Sequence, residues 1–155
     1  MSKDPRPHGG KPVTLCLLVK ADEVLLAMKK KGFGEGKWNG VGGKVETGET
    51  SKEAAVRETQ EEIRVTPTEI EHRATIYYEP YKISMSVYIV TEWTGQPTET
   101  DEMAPKWFKK DDLPQEMWES DKYWMPRVLN GERLTARFVY DQNNKLLKKS
   151  IKQGQ

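Results

Sequence analysis

A chain of 155 residues fits one domain, and a net charge of +1 with 32% charged residues gives no long-range field to draw it to duplex nucleic acid or a membrane surface. No apolar run approaches the ~18 residues that mark a transmembrane helix. The polar stretch 1–10, with Pro5, Pro7, Gly9 and Gly10, lacks the apolar centre of a signal peptide and reads as a loose arm before a single domain over 11–155.

The single cysteine, Cys16, excludes an internal disulfide and suits a reducing, cytoplasmic setting. It lies in an apolar run, which predicts a buried thiol. Residues 13–20 and 23–28 are apolar runs separated by Ala21-Asp22 and predict a strand hairpin. A basic, glycine-rich stretch over 29–37 and then Trp38-Asn39-Gly40 follow. Gly40, Gly42, Gly43 and Gly48 supply a loop whose backbone can take positive φ and approach a ligand closely.

Residues 50–63 predict a helix, with Thr50 and Glu53 forming a capping box at its start. The β-branched and aromatic runs 70–78 and 85–93 predict two strands joined by a turn around Pro80. A short strand is expected at 106–108, a helical turn at 111–114, and a helix over 123–129 ending at Asn130-Gly131. A last hairpin is expected from 137–140 and 145–151. Strands on both sides of a helix predict an α/β fold, a mixed sheet with helices packed against it. His8 and His72 stand far apart, with no zinc-ligand spacing.

The chemistry is concentrated in Gly43, Glu49 and the run Arg57-Glu58-Thr59-Gln60-Glu61-Glu62. In a helix Glu58, Glu61 and Glu62 stand at i, i+3 and i+4 and share one face. Carboxylates so placed repel each other unless a positive charge sits among them. A hard divalent cation answers that need, and Mg²⁺ is commonly held by a few carboxylates together with substrate phosphates.

This spacing, G-x5-E-x7-R-E-x-x-E-E, resembles the signature of the Nudix hydrolases. The resemblance implies the Nudix fold, a mixed sheet between helices in an α/β/α sandwich. It implies that Glu58, Glu61, Glu62 and the Gly42 carbonyl hold Mg²⁺, with Mn²⁺ able to substitute. Arg57, counted with the catalytic residues, and Glu49 would orient those carboxylates. Glu102, in Asp101-Glu102-Met103, would add a metal ligand or act as a base. Thr59 stands where an aliphatic residue is usual and Arg64 where a glycine usually ends the helix, so an altered helix exit and an intact site are expected.

The flanks narrow the resemblance to the oxidised-purine nucleoside triphosphatases within that family. Met28-Lys29-Lys30, Gly32-Phe33-Gly34, Trp38-Asn39-Gly40, Gly42-Gly43-Lys44-Val45, Trp107-Phe108, Met117-Trp118 and Tyr123-Trp124 carry it. It implies a base pocket in which Asn39 bonds the purine, Trp118 stacks on it and Phe33 lines the wall. Thr14 and Lys29 would lie near the sugar and the pocket floor, and Asp121 would accept from the Watson–Crick edge of a guanine.

Independently of resemblance, an indole stacked on a base is worth about 1–3 kcal/mol, and an amide reads donor and acceptor edges together. Ser120 replaces the first of two adjacent aspartates in the family pattern, which implies a narrowing toward oxidised guanine over 2-oxo-adenine. Trp38, Trp93, Trp107 and Trp124 are expected in packing roles.

The implied activity is that of a monomeric pyrophosphohydrolase converting oxidised purine nucleoside triphosphates, 8-oxo-dGTP first, to monophosphate and pyrophosphate. Another nucleoside polyphosphate or a capped RNA is the alternative substrate. A non-catalytic nucleotide-binding domain is the alternative class, against which the complete set of box carboxylates argues.

Overall fold

The computed structural model describes residues 11–154, and the arm expected over 1–10 lies outside them. The two faces of one strand decide the layering. In β1 (Lys11–Lys20), Leu15 and Leu17 enter one buried cluster while Cys16 and Leu18 enter another, the alternation of a strand buried on both sides. The first cluster collects Trp124, Met125 and Val128 of α2 (Asp121–Leu129), and the second collects Ala55 and Ile63 of α1 (Ser51–Ile63). The helices therefore cover opposite faces of the sheet, as the α/β/α expectation requires.

The sheet runs β3 (Trp38–Asn39), β2 (Glu23–Lys29), β1, β5 (Ile83–Thr94), β4 (Thr66–Glu79), β7 (Leu134–Tyr140) and β8 (Leu146–Gln153), with β6 (Met103–Lys109) paired to β2. The β1–β5 and β4–β7 pairs are parallel and the others antiparallel, so the sheet is mixed.

One irregularity makes the site. β1 and β2 pair only from Leu18↔Leu25 to Lys20↔Glu23. Beyond that they part, β2 takes β3 as its neighbour, and the glycine segment enters the gap along β1. Cys16 N–H donates to the Val41 carbonyl (2.6 Å) and Thr14 N–H to the Gly43 carbonyl (2.8 Å).

Helix α1 starts on its capping box. The Glu53 N–H donates to Thr50 Oγ1 (3.1 Å) and the Thr50 N–H to Glu53 Oε1 (2.9 Å). It ends at Arg64 in the left-handed region (φ 66°), whose N–H reaches the Gln60 carbonyl at 3.0 Å. Thr59 is fully buried and satisfies its hydroxyl on the Ala55 carbonyl (2.8 Å), so it fills an aliphatic position without an orphaned polar group. Burial pushes the Cys16 thiol up to about 12, which leaves it inert.

Two expectations need correction. Residues 110–111 make a turn and 112–114 no helical turn, in keeping with the bias that a following proline, here Pro114, sets against the α region. The 70–78 strand extends over Thr66–Glu79, with register shifts that carry it past Pro67. No helix among the described residues is long and apolar enough to cross a membrane.

Candidate active site

Arg57 organises the acidic face of α1. Its Nε and Nη2 hold both oxygens of Glu49 (2.7 and 2.9 Å), while Nη1 reaches Glu58 Oε2 (3.0 Å) and Glu61 Oε1 (3.3 Å). The Arg57 Nη2 also donates to the Lys44 carbonyl (3.0 Å), tying the helix to the loop that precedes it. This grip holds the Glu49 carboxyl down to about 2. Arg57 and Glu49 therefore have the geometry of positioning groups.

Glu58, Glu61 and Glu62 share a side of α1 but not an environment. Glu61 is 56% exposed and Glu58 16% at the side chain. Glu62 is 8% exposed and accepts the Gly42 N–H at 3.1 Å. Burial pushes Glu62 up to about 8, with the charges of Glu58 and Glu102 adding to it against the Gly42 bond and Lys29. Burial likewise raises Glu58, against the pull of Arg57.

Glu102, remote in sequence, thus joins the field of Glu58 and Glu62. Among the described residues no three acidic, histidine or cysteine side chains converge as a finished ligand set. The oxygen-only donors, and the cost that burial sets on ionising Glu62 without a cation beside it, fit a hard divalent cation.

The glycines explain how loop and helix meet. A Cβ on Gly42 would lie 1.9 Å from the Thr14 carbonyl oxygen, and one on Gly43 would lie 2.4 Å from the Glu58 carboxyl carbon. Of the four glycines only Gly48 uses positive φ (90°); Gly40, Gly42 and Gly43 serve close approach. Close packing, not backbone hand, excludes a side chain there.

Beside this strip opens a pocket of about 230 Å³. It brings together Thr14, Lys29, Phe33, Asn39 and Trp118, which the resemblance placed at the base, with Gly42, which it placed at the metal. Phe33 lies stacked on Trp118 (centroids 5.1 Å, 29°) and remains 59% exposed. Lys37 Nζ sits 5.2 Å from the Trp118 ring. The Asn39 amide oxygen accepts the Gly40 N–H (2.8 Å), which leaves its amino group for a ligand.

Ser120 and Asp121, expected at the base edge, are buried and do not line the pocket. They stand one layer behind Tyr78 and Tyr140, which do. The four tryptophans expected in packing pack: Trp124 is fully buried, Trp93 stacks on Trp107 (6.0 Å) and Trp38 meets Phe108 edge-on (4.9 Å).

Comparison with known proteins agrees with this geometry. The sequence pattern of the NUDIX domain matches residues 10–128. The chain belongs to the NUDIX domain family. It is 38% identical over 146 residues to the oxidized purine nucleoside triphosphate hydrolase of Danio rerio, covering 91% of this chain and 94% of that protein. The mouse (Mus musculus) protein of the same name is 35% identical, over 90% and 93%. Among solved structures, the mutator MutT protein from Bacillus halodurans superposes with a TM-score of 0.78 at 29% identity, covering 91% of this chain and 97% of that one.

For this Nudix hydrolase, family membership brings the use of a divalent cation. What sequence reasoning missed is the tyrosine wall of the Nudix pocket: Tyr78, Tyr81 and Tyr140. A signal for two of them was present. Tyr78 follows Ile76, and Tyr140 follows Ala136 and Phe138, at the two-residue spacing of the buried strand face.

Proposed function

We propose that this Nudix hydrolase cleaves oxidised purine nucleoside triphosphates, 8-oxo-dGTP first, to the monophosphate and pyrophosphate, and so clears damaged nucleotides from the pool. The observation that carries the reading is the shared strip: Gly42 and Gly43 line the aromatic pocket and also touch Glu62 and Glu58. A base held in the pocket would direct its phosphates toward the acidic helix. The zebrafish and mouse relatives, matched along nearly their whole length, carry the corresponding name.

In this reading Trp118 stacks on the base and the free amino group of Asn39 donates to it, with Phe33, Thr14 and Lys29 completing the pocket. Glu58, Glu61, Glu62 and the Gly42 carbonyl would hold Mg²⁺, or Mn²⁺ in its place. Glu102 would add a ligand or take the proton of the attacking water. The bound cation would offset phosphate charge and acidify a water molecule. Arg57 keeps Glu58 and Glu61 oriented. Lys29, close enough to Glu62 to favour its ionised form, bridges the charge of pocket and helix. The reading includes a monomer working in the cytoplasm.

The test is release of pyrophosphate from a panel of nucleotides with and without Mg²⁺. Oxidised dGTP is expected to exceed dGTP, 2-oxo-dATP and a dinucleotide-capped RNA in kcat/KM. Preference for the capped RNA, or metal-independent turnover, would defeat the reading.

A further inference from the structure

The turn that carries Glu102 is fastened to the last turn of α1 through one hydroxyl. Glu62 and Ile63 stand at the end of that helix, where main-chain carbonyls have no partner within it. The loop 95–102 supplies partners for both. The Thr98 N–H donates to the Ile63 carbonyl (3.0 Å), and Thr100 Oγ1 donates to the Glu62 carbonyl (2.8 Å).

The same Thr100 oxygen accepts the N–H groups of Glu102 and Met103, each at 3.3 Å. A hydroxyl offers one donor and two acceptor sites, and here all three are in use. The Thr100 N–H donates to the Met103 carbonyl (3.0 Å), closing the turn on itself, and the Lys30 N–H donates to the Glu102 carbonyl (3.0 Å). Both main-chain polar groups of Glu102 are therefore held, one by Thr100 and one by the residue that follows β2.

Glu62 is the anchor at the other end. Its carboxyl accepts the Gly42 N–H (3.1 Å) while its carbonyl accepts the Thr100 hydroxyl. One helical residue thus fixes the glycine segment on one side and the Glu102 turn on the other. The charge of Glu102 acts on both Glu58 and Glu62.

We propose that Thr100 is a positioning residue for the hydrolysis: its hydroxyl locks the Glu102 turn to the Glu62 carbonyl and so sets where the Glu102 carboxylate stands against the acidic face of α1. The inference rests on the role given to Glu102 above and deepens it. With its hydroxyl fully committed inside the protein, Thr100 acts through Glu102 and not on the nucleotide. A reacting group displaced by about 1 Å can cost roughly a hundredfold in rate, which is the scale a loosened turn would forfeit. Thr100 does not line the base pocket, so base affinity should be untouched by its loss.

The experiment is a cycle of Thr100→Val, Glu102→Gln and the double variant on oxidised dGTP in Mg²⁺, with Thr100→Ser as the variant that restores the hydroxyl. Thr100→Val should lower kcat ten- to a hundredfold with KM within about twofold, and Thr100→Ser should keep kcat within about threefold. In the double variant kcat should lie within about threefold of Glu102→Gln alone, because a group with nothing left to position adds no further loss. A second readout needs neither metal nor substrate. In metal-free Thr100→Val the Glu102 and Met103 amides should exchange hydrogen at least tenfold faster, while those in the middle of α1 keep their protection. Thr100 is half-buried, so water can reach the groups the valine leaves unpaired, and the variant is expected to fold; thermal melting checks this.

Losses that multiply in the double variant would make Thr100 a structural residue and overturn the proposal. An unchanged kcat in Thr100→Val, an equal loss in Thr100→Ser, or unchanged exchange at Glu102 and Met103 would overturn it too. If Glu102→Gln alone leaves kcat within about twofold, Glu102 has no part in the chemistry and the proposal falls with it. Failure of the nucleotide reading is separable: it shows in the natural chain, as absent turnover of oxidised dGTP, before any substitution is made.

Discussion

Gly43 lies so close to Glu58 that a methyl group on its α-carbon would meet the carboxyl carbon at 2.4 Å. The obstacle is the far end of a flexible side chain, so Gly43→Ala is expected to fold and to displace the carboxylate. We expect kcat to fall ten- to a hundredfold with a melting temperature within a few degrees of the natural chain. Gly42→Ala meets backbone instead, the Thr14 carbonyl oxygen at 1.9 Å. It should destabilise by about 3 kcal/mol or more. Thermal melting beside steady-state kinetics separates the two; similar melting temperatures would contradict this account of the strip.

Changing Glu61 and Glu62 together to glutamine keeps shape and removes charge from the acidic face. Turnover should collapse by at least a hundredfold at any Mg²⁺ or Mn²⁺ concentration. The fold should persist, because Glu62 is buried and a neutral amide there relieves an unfavourable charge. A well-folded, active double variant would remove the carboxylates from the metal site.

Trp118→Ala removes the stacking platform, worth about 1–3 kcal/mol of base affinity. It should appear as a raised KM with kcat little changed. A loss confined to kcat would place the base elsewhere.

Asp121 sets a pH dependence whose sign is fixed. Burial pushes its carboxyl up to about 7, against the hydrogen-bonding groups of Trp124, Tyr78 and Ser120 and the charge of Lys37. The folded state therefore binds a proton more tightly than the unfolded chain does. The contribution to stability is full below about pH 4, the ordinary aspartate range, and is lost as pH rises through about 7. Urea unfolding of metal-free protein should show stability declining across that window. Asp121→Asn should make the decline shallower without abolishing it, since Glu62 titrates in the same direction. An unchanged slope would show that Asp121 is ionised throughout.

Arg64 closes α1 in the left-handed conformation, which costs a side-chain-bearing residue about 1 kcal/mol relative to glycine. Arg64→Gly should raise stability by about that amount and leave kcat/KM unaltered. A lower melting temperature would mean that the arginine side chain contributes more than its backbone strain costs.

The parts legible in the sequence were those encoded locally. Thr50 and Glu53 announce the start of α1 within a few residues, and the spacing of Glu58, Glu61 and Glu62 needs only the pitch of a helix. The apolar run of β1 is readable in the same way. What each glycine approaches was not legible because its reason is remote: Gly42 is small on account of Thr14 and Gly43 on account of Glu58, contacts that exist only once β1 and β2 have parted. Ser120 and Asp121 were expected at the base edge through resemblance, and no local pattern places the two tyrosines in front of them. That arrangement needs the parallel pairing of β4 with β7, which sets Tyr78 opposite Phe138, and long-range register is absent from any short window of sequence.

The insertion of the glycine segment between β1 and β2 has a consequence for how this enzyme can change. One bare ribbon of backbone serves as the wall of the aromatic pocket on one side and as the seat of Glu58 and Glu62 on the other. Its glycines have no side chains to absorb a disturbance, so an adjustment of the wall at Gly42 or Gly43 would be transmitted to the carboxylates. Drift in substrate preference is thereby policed by turnover. Phe33 and the tyrosines line the pocket away from the ribbon, so a change there need not move the carboxylates. Along Gly40, Gly42 and Gly43 a trial residue is tested against both recognition and chemistry at once.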